Sequence, residues 1–125
     1  MQAQAAYDEL IQRTREASLL ASCAELLGWD EETYMPRGGV AHRGSQMALL
    51  AGLCHERATD PRLGELLGAV EGSPLVSDPE APAAVNVREL RRLYERSVRL
   101  PRSLVEEVAR ATSFAQHSGT RLQTV

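Results

Sequence analysis

The chain has 125 residues, enough for one domain, with 43% hydrophobic and 25% charged residues and a net charge of −3. That balance is ordinary for a soluble globular protein, and the mild acidity gives no general attraction to nucleic acid or to an anionic membrane. No stretch approaches ~18 consecutive apolar residues, so no membrane partner is expected.

The opening MQAQAAYDEL lacks the basic start and apolar run of a secretory leader, which predicts a cytoplasmic protein. Cys23 and Cys54 are too few for a disulfide framework. Each sits among apolar residues, so both are expected to be buried free thiols. Aromatic residues make up only 4%, leaving Leu, Ala and Val to fill a core of closely packed helices.

In chain order, residues 4–28 read as a first helix with Tyr7, Leu10, Ile11, Thr14, Ala17, Ala21 and Ala24 along one face. Gly28 is expected to end it, and Trp29 to Val40, with Pro36, Gly38 and Gly39, reads as a loop. A second helix is predicted over 41–58, with Met47, Leu50, Cys54 and Ala58 inward and Leu49 and Leu53 widening the stripe. Asp60-Pro61 signals a third helix, because Asp accepts from orphan backbone N–H groups and Pro fits the first helical position. Leu63, Leu66, Leu67 and Val70 form its apolar face, and Gly72 closes it.

Ser73 to Asp78 reads as a linker. Asp78-Pro79 repeats the start signal for a fourth helix that places Val87, Leu90, Tyr94 and Val98 inward, until Leu100-Pro101 breaks it. Ser103 with Glu106 matches a capping box for a fifth helix through Val105, Val108 and Ala115. After His117, Ser118-Gly119 suggests a stop, so 1–117 is expected to be the helical region and 118–125 an unstructured, divergent tail. The predicted fold class is all-α, with about five helices and no strand.

Candidate sites are sparse. His55-Glu56-Arg57-Ala58-Thr59 has the first half of an HExxH zinc motif, but Thr59 replaces the second His, and one imidazole cannot hold zinc against water. Cys23, His42, Cys54 and His55 match no finger or ribbon spacing. Arg88, Arg91, Arg92, Arg96, Arg99 and Arg102 make a basic cluster broken by Glu89 and Glu95, which fits a solvated helix better than a nucleic-acid surface. Asp30, Glu31 and Glu32 read as a terminus or loop cap rather than a hard-metal site. Neither catalytic residues nor metal ligands are therefore assigned in this chain.

The run from Leu26 to Gly39, with Trp29, Asp30, Thr33, Met35 and Pro36, followed by Arg43 and Gln46, resembles the N-terminal signature of the carboxypeptidase Taq family of zinc metallopeptidases. Further likenesses follow in order. They are Tyr7-Asp8-Glu9-Leu10, Ala58 to Pro61 with Leu63 to Leu67, Val87 to Arg92, and Leu100-Pro101 with Leu104-Val105-Glu106.

The resemblance implies helices forming a lid or wall of a groove in a cytoplasmic, often dimeric enzyme that removes C-terminal residues from peptides. It also implies zinc in the intact family, held by HExxH and a later Glu beyond the region matched here. This chain is then expected to be a truncated, catalytically incompetent N-terminal region. Its expected partner is a second copy or the missing catalytic body. The alternative is a free-standing helical interaction or dimerisation module.

Overall fold

The structure, a computed structural model, describes the backbone of residues 1–33 and 39–123 and the side chains of residues 1–30 and 39–113. Among these the chain is all-helical: α1 (Ala3–Thr33), α2 (Val40–Ala58), α3 (Pro61–Glu71), a one-turn 3-10 helix (Pro74–Val76), α4 (Pro82–Val98) and α5 (Arg102–Gln123). Contacts divide it into two compact units, Met1–Ala17 with Glu56–Leu100 and Ser18–His55 with Pro101–Val125.

The first unit holds the apolar core. α3 begins where Asp60 Oδ1 accepts from the Arg62 backbone N–H at 2.9 Å and Pro61 takes the first turn. Its Leu66, Leu67 and Val70 are wholly buried, and Ala6 and Leu10 of α1 and Val87 of α4 join them. Tyr7, Leu63, Leu90 and Tyr94 pack around the rim of that cluster. Each fully buried Leu contributes about 1.5–3 kcal/mol relative to an exposed one, against about 1 kcal/mol for a cap. The cluster therefore holds the unit, and the cap sets where α3 starts.

α4 starts later than the sequence suggests. Asp78 and Pro79 form a turn instead, with Asp78 accepting from Glu80 N–H at 3.0 Å and its carbonyl accepting from Ala81 N–H at 3.1 Å. Pro82 then takes the first position of the helix. A helix begun at Pro79 would put Pro82 where the first intrahelical N–H is needed and press its ring on the Asp78 carbonyl. At the other end the break at Leu100-Pro101 holds, but Val98, expected inward, lies on the exposed final turn.

In the second unit, α1 does not stop at Gly28: Trp29 to Thr33 are helical, so the expected loop loses its first residues to α1 and Val40 to α2, while residues 34–38 lie outside the described set. Nothing approaches within 4 Å of a Cβ built at Gly28, so this glycine serves no turn. The buried line of α2 is Gly44, Ala48 and Gly52 rather than the larger residues expected, and Leu49 is exposed.

Small residues win there because α5 side chains lie against them. A methyl at Gly52 would run into the Glu106 carboxylate and the Arg102 guanidinium, which pair at 2.8 Å. That pair also explains why the capping box does not form. Arg102 already opens α5, the Pro101 carbonyl accepts from Val105 N–H, and Ser103 sits inside the helix. Val108, expected inward, is exposed. The helix continues to Gln123 through Ser118-Gly119, since one glycine costs a formed helix only about 1 kcal/mol.

Candidate functional site

Arg43, in the first turns of α2, joins two other signature residues, Asp30 and Gln46. Its Nη1 donates to the Leu27 carbonyl of α1 at 2.7 Å, its Nη2 to Asp30 Oδ2 at 2.8 Å and its Nε to Gln46 Oε1 at 2.9 Å. A planar guanidinium serves three acceptors in fixed directions, which a lysine ammonium does not. The Arg43 side chain is only 14% exposed, whereas Asp30 keeps 41% of its surface in water. Asp30, Arg43 and Gln46 thus form one network.

Trp29 lies on α1 and not in a loop, 54% exposed. Thr33 ends α1, with its side chain outside the described set, and Met35 and Pro36 lie outside the described residues altogether. The network ties the end of α1 to the start of α2. Gln46, three residues from Arg43 on a helix, was legible as its partner; the Leu27 carbonyl carries no sequence signal.

The metal candidates do not converge. Cys23 is exposed, against expectation, and Cys54 is half-buried, its thiol pushed up by burial and by nearby Cys23. Among the described residues, no three of His, Cys, Asp and Glu stand close enough to hold a metal ion. The side chains described here do not fit a zinc site. The basic helix is partly spent on neighbours: Arg91 forks onto Glu71 at 2.6 and 3.0 Å, Arg92 donates to Glu89 at 2.6 Å, and Arg88 to the Pro79 carbonyl at 2.8 Å. Among the described residues no helix is long and apolar enough to cross a membrane.

An ion-pair network in the first unit escaped the sequence reading. Glu9 accepts from Arg62 Nε at 2.8 Å and Nη2 at 2.9 Å, and from Arg13 Nε at 2.8 Å, while Arg13 reaches Asp60 at 3.3 Å. Arg13 stands four residues from Glu9 on the same helix, but Arg62 lies 53 residues from Glu9 and Asp60 lies 47 from Arg13, beyond any local pattern. The hydrogen bonds from Arg62 and then Arg13 lower Glu9 from 4.5 to about 2.

A lowered carboxylate favours the folded state above its unfolded value and loses that advantage as pH falls through its folded value. Stability is therefore expected to drop as pH falls from about 4.5 towards 2. Urea melts at pH 6 and pH 3 should show a smaller drop for Glu9→Gln than for the native chain; equal drops would contradict this role.

The description "Carboxypeptidase Taq (M32) metallopeptidase" belongs to the family whose profile matches residues 9–121, running past His117 into the expected divergent tail. The chain is 52% identical over 116 residues to thermostable carboxypeptidase 1 of Thermus thermophilus, covering 93% of this chain and 23% of that protein. It is 26% identical over 111 residues to thermostable carboxypeptidase 1 of Pyrococcus furiosus, covering 86% of this chain and 21% of that protein. The chain thus spans less than a quarter of the length of these curated relatives. With the likeness spread over nearly its whole length, the chain belongs to the carboxypeptidase Taq (M32) metallopeptidase family.

Proposed function

We propose that this chain is a non-catalytic segment of a zinc-dependent metallocarboxypeptidase, an enzyme that removes C-terminal residues from peptides. The supporting observation is the pattern of likeness: 93% of the chain aligns at 52% identity, yet the alignment takes up 23% of the relative. The described residues provide no zinc ligand set, so no step of peptide hydrolysis is assigned to them. Their contribution is positional. Arg43 fixes the end of α1 against the start of α2, and such a braced helix pair suits the wall of a substrate groove. The signature residues Trp29, Asp30, Arg43 and Gln46 act there as scaffold.

The purified chain, supplied with zinc, is expected to release no C-terminal residue from a test peptide. Chelator-sensitive release that survives repurification would overturn the reading. A hybrid in which this chain replaces the matching segment of the Thermus thermophilus enzyme is expected to retain carboxypeptidase activity, because 52% identity preserves most of the packing.

A further inference from the structure

The second unit inverts the usual allotment of side chains. Among its described residues the buried positions are Gly44, Ala48, Gly52 and Ser113, whereas Leu19, Leu26, Leu49, Leu104 and Val108 stand exposed. The first unit also leaves Val85, Leu93, Val98 and Leu100 exposed, but it buries Leu10, Leu66, Leu67 and Val70.

On α1, Leu19, Cys23 and Leu26 follow at spacings of four and three, and Trp29 comes three later, which places them on one face. Leu19 is 64% and Leu26 67% exposed. Single exposed leucines need no cover, but an apolar stripe along one helix face is the surface that marks an interface.

We propose that the Leu19–Trp29 face of α1 is the seat of the remaining polypeptide of a carboxypeptidase of this family, which supplies the large apolar side chains that the second unit does not bury for itself. The proposal rests on the functional reading above. One observation favours that occupant over a second copy of the chain. More than three quarters of each relative's length has no counterpart here, so a covering body exists in the family. The only charged residue from Leu19 to Trp29 is Glu25, set to one side of the stripe. Charge is depleted inside a polypeptide and at the centre of an interface alike, so the uncharged stripe marks a face built for burial.

The test places Leu19→Asp with Leu26→Asp, and separately the milder Leu26→Gln, in both the isolated chain and the Thermus thermophilus hybrid. In the isolated chain both variants are expected to keep the native helicity and melting profile and to bind less hydrophobic dye. In the hybrid, the double variant is expected to lower the melting midpoint by several degrees and activity at least tenfold, with a smaller loss for Leu26→Gln. Unchanged hybrids would overturn the proposal by showing the face solvated. Unfolding of the isolated chain by either variant would overturn it by showing the face packed internally. A stoichiometric dimer of the isolated chain, dissociated by the variants while the hybrid is unaffected, would assign the face to a second copy instead. A parent hybrid that folds but lacks activity would fail the functional reading itself, a result separable from the variants' effects.

Discussion

Leu66→Ala is expected to cost the chain about 2–5 kcal/mol of stability, the range for truncating a buried leucine whose surroundings cannot close over the cavity. Leu66 has no exposed surface and sits in the cluster formed with Leu10, Leu67, Val70 and Val87. Domain stabilities are only about 5–15 kcal/mol, so this single truncation removes a large share of the margin. Denaturant melts followed by circular dichroism would measure it. The matched control is Leu19→Ala, where exposure limits the expected change to about 0.5 kcal/mol. Equal effects at the two positions would contradict the division between a packed first unit and an open α1 face.

Arg43→Ala should have the next largest effect, about 1–3 kcal/mol, because it removes charge-assisted hydrogen bonds to Asp30, Leu27 and Gln46 from a mostly buried guanidinium. Water at the half-exposed Asp30 offsets part of the loss, which keeps the expectation below the sum of three separate bonds. Arg43→Lys is expected to recover less than half, since an ammonium can meet Asp30 but cannot serve three acceptors in one plane. A double-mutant cycle with Asp30→Asn should give a coupling of about 1 kcal/mol. A coupling near zero, with full rescue by lysine, would reduce Arg43 to a general positive charge.

Much of this architecture was legible before any coordinates. Asp60-Pro61 and Leu100-Pro101 speak through the missing N–H and fixed ring of proline, constraints that neighbouring structure rarely overrides. Leu63, Leu66, Leu67 and Val70 declared their face because α3 is short and amphipathic. Two misses were local, the later start of α4 at Pro82 and the helix running on through Ser118-Gly119, while others depend on what stands opposite. Ser103 has capping chemistry, but the helix already begins at Arg102, two residues before a cap at Ser103 would start it. Met47 and Leu50 look more like core than Gly44 and Gly52 until the side chains of α5 occupy the space.

Cys23 reads as buried from its apolar neighbours in sequence, yet it lies on the face left open. At the candidate site, the resemblance singled out Asp30, Arg43 and Gln46 by type and order. That one guanidinium joins them, and also takes the Leu27 carbonyl, follows only from the approach of the end of α1 to the start of α2.

The core of the first unit has a consequence for biosynthesis. Ala6 and Leu10 are made some sixty to eighty residues before their partners Leu66, Leu67, Val70 and Val87. At about 5–20 residues per second the delay is several seconds, while a helix forms within about a microsecond. The start of α1 is therefore helical before its partners in this core exist, and α3 with α4 forms the template on which it lands. Nascent chains arrested before Leu66 should leave Leu10 open to chaperone crosslinking, and chains arrested well beyond Val87 should protect it.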